Sequence, residues 1–215
     1  MTSRARGGRS PRAAPFVGID LAGSESRRTG FCVLYGAREA RTRVLGTDEE
    51  ILNAATEVEP RLVAVDAPLS LPRGRASIED RNGPHFRACD LALRRLHIPF
   101  FPITLGPMRM LTRRGVALRD ALGRRGISVL ETYPGGVQDL LGWPRKGEGA
   151  ERLRRALVRF GFRGEVQHRS ISHDELDAIA CAHVARLFHL GRAQLLGDPT
   201  EGQILLPFRP REQRR

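Results

Sequence analysis

The chain has 215 residues, 40% of them hydrophobic, and a net charge of +12, enough apolar material for one buried core and too much for a disordered polyelectrolyte. No apolar run approaches the ~18 residues of a membrane span and no apolar core follows the basic N-terminus, so the expectation is a cytoplasmic protein without a membrane segment. Cys32, Cys89 and Cys181 are widely spaced, form no CxxC pair and read as reduced, packed thiols.

Residues 1–14 hold four arginines and no acid, and read as a disordered basic tail. Phe16 to Asp20 reads as a buried strand that ends in a carboxylate, before a turn at Gly23 and Ser24. Thr29–Tyr35 and Arg41–Gly46 read as two further strands of an antiparallel meander. Asp48, Glu49 and Glu50 open an amphipathic helix to Val58, where acids suit the positive end of the helix dipole. Arg61 to Asp66 is a second apolar run ending in an acid. A strand reached through a crossover helix is expected to run parallel to its neighbour, giving a mixed sheet with helices on both faces.

Residues 69–107 read as a long connection carrying a helix near Gly83–Leu96, and Thr104–Arg125 as a basic helical region. Within residues 73–125, twelve arginines face only Glu79, Asp80, Asp90 and Asp120. Such a concentration is what a phosphate-binding surface needs. Lys146 is the only lysine, however, so abundant arginine is equally read as codon bias. Ile127–Leu130 reads as a strand with Glu131 at its end. Helices follow at Gly136–Leu141, Ala150–Phe160 and His173–Leu190, and a terminal strand pair at Ala193–Leu196 and Gln203–Leu206. One domain is expected over residues 15–207, with residues 208–215 as a second flexible basic tail.

Asp20, Asp66 and Glu131 each close an apolar strand, a costly place for an ionised carboxylate unless a cation or hydrogen bonds compensate it. Asp174 and Asp177 stand at i and i+3, on one face of the last helix. Singly, each acid has a plain structural reading: Asp174 as a helix-dipole acid, Asp66 as a turn-binding acid before Pro68, Asp20 as a turn cap. Together they form an oxygen donor set suited to Mg²⁺ or Mn²⁺.

The segments Val17-Gly18-Ile19-Asp20-Leu21-Ala22, Val63-Ala64-Val65-Asp66-Ala67-Pro68-Leu69, Arg87-x-Cys89-Asp90, Glu131-Thr132-Tyr133-Pro134, His173-Asp174-Glu175-Leu176-Asp177-Ala178 and Gly197-Asp198-Pro199-x-Glu201-Gly202, taken in this order, resemble the DUF429 family of predicted nucleases. The resemblance covers about residues 16–207 and implies an α/β, RNase H-like fold of the RuvC type. It implies that Asp20, Asp66, Asp174 and Asp177 bind two divalent ions. Asp66 stands where resolvases of that type usually carry Glu, and Glu131 has no firm counterpart there.

The leading expectation is therefore a nuclease that uses Mg²⁺ or Mn²⁺ to hydrolyse phosphodiester bonds of DNA or RNA, with Asp20 bridging two ions. Arg87, Arg94, Arg95, Arg109, Arg113 and Arg114 are the candidates for the nucleic-acid backbone, or else a solvated helix face. His173 is a weaker candidate for proton relay or ligation and more often a helix-start residue. Two alternatives stand beside this. Asp20 to Ser24 is similar to the first phosphate loop of the actin and sugar-kinase branch, although no second Gly-rich loop is present. A nucleic-acid-binding module without catalysis is the other, disfavoured because clustered acids do not serve a phosphate surface.

Overall fold

The computed structural model describes residues 14–209. The expected basic tails therefore lie almost wholly outside the described residues. Eight strands form one sheet, in the spatial order Arg163–Gly164, Glu39–Leu45, Thr29–Tyr35, Phe16–Asp20, Leu62–Asp66, Val129–Thr132, Gly202–Pro207, Ala193–Asp198. Strands β1 (Phe16–Asp20), β2 (Thr29–Tyr35) and β3 (Glu39–Leu45) make the antiparallel meander. Helix α1 (Asp48–Val58) then crosses over to β4 (Leu62–Asp66), which lies parallel to β1. Thr47 caps α1 through a capping box with Glu50, which fixes where the crossover begins.

After β4 the chain makes a long excursion through α2 (Ala88–Arg95) and α3 (Gly106–Arg124) before β5 (Val129–Thr132) pairs parallel to β4. The order β3-β2-β1-β4-β5, with only β2 reversed, is the RNase H-like arrangement. The helix expected from Gly83 begins only at Ala88. Instead, residues 80–84 wrap around the buried guanidinium of Arg75, which donates to the carbonyl oxygens of Asp80, Gly83 and Pro84.

Helices α4 (Pro134–Leu141) and α5 (Ala150–Arg159) flank a short 3₁₀ turn at Lys146–Glu148. Two short elements escape the sequence pattern, β6 (Arg163–Gly164) on the edge beside β3 and α6 (Glu165–His168). Helix α7 (His173–His189) leads to the hairpin of β7 (Ala193–Asp198) and β8 (Gly202–Pro207), which extends the sheet beyond β5.

Alternating strand residues feed two cores, one on each face. Val17, Ile19, Val63 and Val65 pack with Ile51, Ala54 and Ala55 of α1 and Leu118 and Leu122 of α3. Phe16, Leu62 and Ala64 pack on the other face with α7, α4 and α5. Helix α7 lies against β1 and β2 at backbone contact. A Cβ on Gly18 would stand 2.0 Å from the Ala178 carbonyl oxygen, and one on Gly30 would stand 2.0 Å from that of Asp174. Cys32, Cys89 and Cys181 are free and buried. Among the described residues, no helix is long and apolar enough to cross a membrane.

Candidate metal centre

Asp20 and Asp66 are the last residues of neighbouring parallel strands and register opposite one another. Strand alternation gives them the parity of Gly18 and Ala64, so both face α7. The close seat of α7 on Gly18 and Gly30 brings Asp177 over the same spot. The Asp177 carboxylate is buried and held by Gln138 of α4, whose Nε2 donates to Oδ1 at 2.6 Å. Asp174 lies one turn earlier, at the rim.

The electrostatics record how close these groups are. Burial, followed by the charges of Asp66 and Asp177, pushes the Asp20 pKa well up. Asp66 rises to about 8 through burial and then the charge of Asp177, and its carboxyl shares a hydrogen bond with Asp20. Asp177 is raised by burial, an effect that Lys146 and the Gln138 hydrogen bond reduce. Three carboxyls that resist ionisation at one point constitute a site short of positive charge.

Part of that charge is supplied by Lys146, which sequence reasoning passed over as a lone lysine. From the 3₁₀ turn its Nζ reaches 3.2 Å from Asp174 Oδ1 and 4.0 Å from Asp177 Oδ2. Burial works to lower its pKa, but the charges of Asp20 and Asp177 and the bond to Asp174 outweigh this and raise it. No three His, Cys, Asp or Glu side chains among the described residues stand in metal-ligating geometry. The donor set itself, four carboxylates and no soft ligand, fits a hard divalent cation. A cleft of about 430 Å³ opens above it, walled by Asp20, Lys146, Asp174 and Met108, with Arg27 and Arg28 at its edge. Those two arginines, in the turn before β2, were also missed.

Glu131 lies near enough for its charge to add to the rise of the Asp66 pKa, but its side chain is on the other face of the sheet. Thr132 registers with Asp66 and Glu131 with Val65, so Glu131 is one residue out of phase and points away from α7. Its two oxygens accept from Arg87 at 2.6 and 2.7 Å, and one also accepts from the Leu69 amide at 2.8 Å. Arg87, 2% exposed, is completed by Asp90. It is therefore a buried tie between α2 and the end of β5, in place of the phosphate contact expected of it. Arg114 is likewise buried, bonding Asp48, the Ala22 carbonyl and the Gly46 carbonyl, and so holds the turn after Asp20. Arg109 and Arg113 pair with Glu79. Arg94 and Arg95 are exposed, with Arg94 4.5 Å over the Phe86 ring. His173 lies one turn before Asp177, lowering its pKa, and its own buried Nδ1 has no hydrogen-bond partner among the described residues.

The Gly197–Gly202 segment supports the site from a distance. Glu201 accepts from the Arg73 and Ala88 amides at 2.7 and 2.6 Å, and Asp198 pairs with Arg73. The β7–β8 turn thus pins the first part of the excursion that follows Asp66, at Arg73 and at the start of α2.

A family model described as a protein of unknown function, DUF429, matches residues 18–201. The chain belongs to the DUF429 family. Two solved structures similar to this DUF429 chain are of Thermus thermophilus RuvC. One, in complex with Holliday junction substrate, is 17% identical with a TM-score of 0.44, over 81% of this chain and 94% of that one. The other is 18% identical with a TM-score of 0.43, over 81% of this chain and 95% of that one. No curated protein matches the chain.

Proposed function

We propose that this chain is a divalent-metal-dependent nuclease that hydrolyses phosphodiester bonds of nucleic acid, working in the cytoplasm. The observation that carries the reading is the convergence of Asp20, Asp66 and Asp177, each with a raised pKa, around one ammonium at the edge of an open cleft. A purely structural role does not account for three buried carboxyls facing one another, since apolar residues of similar size would be more stable there.

Asp20, Asp66, Asp174 and Asp177 would hold the metal, Mg²⁺ or Mn²⁺, which when bound supplies a water acidified toward neutral pH and a Lewis acid for a phosphoryl oxygen. The chain's own residues set the stage. Gln138 fixes the rotamer of Asp177, Arg114 and Thr29 hold the turn after Asp20, and Lys146 neutralises the acids when no other cation does. Arg27 and Arg28 stand where a backbone phosphate entering the cleft would meet them, and contacts of that kind add affinity without reading sequence.

The phosphate-loop alternative loses its support at Gly23. That residue has no positive φ, and an added Cβ would meet its nearest neighbour at 3.8 Å, an ordinary contact. Nothing there requires glycine, whereas a backbone cradle for phosphate does.

The test is cleavage of labelled single- and double-stranded DNA and RNA in Mn²⁺ by the wild type and Asp20→Asn. The variant should lose cleavage and calorimetric Mn²⁺ binding while its melting temperature in chelator holds or rises, because a buried acid has been removed. Cleavage that survives the substitution rejects the assignment.

A further inference from the structure

A second polar cluster lies at the other end of the β1–β2 pair from the acids. Asp20 pairs with Gly30, whereas Phe16 pairs with Leu34, next to the turn that carries Arg38. Arg38, His183, Arg186, Arg192 and Arg209 line a cleft of about 530 Å³ with no acidic residue in its wall. Small-ligand sites are commonly of this size.

His183 is 2% exposed, its ring packed 5.3–5.6 Å from those of Trp143, Phe160 and Phe162. Its Nδ1 has no hydrogen-bond partner among the described residues, and neither has the buried Nη1 of Arg38, whose guanidinium stacks 4.0 Å over Phe160. Buried polar atoms in native proteins nearly always have partners, so two without one on the same cleft mark a place for a ligand. Burial pushes the His183 pKa down to about 3, with Arg38 and Arg186 adding to the effect, so its imidazole is neutral. A neutral imidazole with its proton on Nδ1, beside a guanidinium N–H, offers donors and no competing negative charge to an anionic oxygen.

Four arginines without a carboxylate partner in the cleft suit a doubly charged group better than a single carboxylate. The remaining wall is apolar, with Leu141, Leu187 and Phe208, the last 48% exposed. We propose that this cleft binds a small phosphorylated aromatic molecule of the mononucleotide class. Arg38 Nη1 and His183 Nδ1, closed off in the empty cleft, turn to take the phosphoryl group as it enters, the other arginines surround it, and the flat apolar body lies on Phe208. This site stands independently of the acid centre and of any activity assigned to it.

The test is isothermal titration of the full chain, in chelator, with adenosine 5′-monophosphate and separately with inorganic phosphate. The nucleotide should bind at least 10-fold more tightly than phosphate, and Arg38→Gln should weaken it at least 10-fold. Because Arg38 also stacks on Phe160, Arg186→Gln is the second variant, expected to weaken binding several-fold at an unchanged melting temperature. Asp66→Asn should bind the nucleotide as the wild type does, which separates this site from the acids. No heat with millimolar nucleotide, equal affinity for the two probes, or wild-type binding by both arginine variants would overturn the proposal.

Discussion

Lys146 Nζ stands 3.2 Å from Asp174 Oδ1, so the acid cluster carries its own cation. That ammonium and a divalent ion compete for the same carboxylates. Lys146→Met should therefore tighten Mn²⁺ binding by about 3- to 10-fold, on the order of 1 kcal/mol. In chelator it should lower the melting temperature by no more than about 2–4 °C, since the lysine is half exposed and such pairs contribute at most about 1 kcal/mol. Titration calorimetry and thermal melts with and without Mn²⁺ read both effects. Weaker Mn²⁺ binding by the variant would show that the lysine assists the ion and does not displace it.

Asp66 makes stability depend on pH in a direction opposite to that of most carboxylates. Burial, then the charge of Asp177, raises its pKa to about 8, against about 3.9 in an unfolded chain. The folded state thus holds a proton that the unfolded state has released. The associated stability is fully present below about pH 4 and is lost as pH rises through 8. In chelator, the melting temperature of the wild type should fall from about pH 6 to 8 and level off above that, and Asp66→Asn should flatten the fall. Superimposable profiles would mean that the proton resides elsewhere. With Mn²⁺ present the trend should reverse, because the ion replaces the proton and binds more tightly as pH rises.

The strands that carry Asp20 and Asp66 were legible because an unbroken apolar run closed by an acid is a local pattern. The pairing of Asp174 with Asp177 was legible from helical spacing. Glu131 fits the same local pattern as Asp20, yet it points the other way. What separates them is a register fixed by β4, a strand far away in sequence. Arg87 and Arg114 were counted as surface charge for a similar reason: nothing local says that Glu131 or Asp48 will meet them in the interior. Lys146 enters the acid centre from a turn placed by the packing of α4 and α5, so no spacing rule points to it.

The Arg87–Glu131–Asp90 tie should be a stability element. Arg87→Met leaves two buried carboxylates without their partner, and breaking a buried pair from one side typically costs about 3–5 kcal/mol. Urea denaturation should register a loss of that order. Arg87→Lys should not restore it, because an ammonium lacks the fork that meets Glu131 and Asp90 together. Had Arg87 served the nucleic acid, Arg87→Met would keep its stability and lose affinity instead.

The acid centre also depends on two glycines that contribute no side chain to it. A Cβ on Gly18 would stand 2.0 Å from the Ala178 carbonyl oxygen and 2.3 Å from the Ala182 amide nitrogen, both backbone atoms of α7. Neither atom yields without moving the helix, and Asp177 moves with it. Gly18→Ala should therefore lower stability by several kcal/mol, as overpacking of a well-filled core does at its upper end. Near room temperature, where the variant is still folded, it should also weaken Mn²⁺ binding. Gly123→Ala is the matched comparison: in α3, with nothing within 4 Å of the new Cβ, it should raise stability by about 0.5–1 kcal/mol and leave Mn²⁺ affinity unchanged. If Gly18→Ala binds Mn²⁺ as the wild type does, the seat of α7 on β1 does not set the position of Asp177, and the geometric basis of the centre fails.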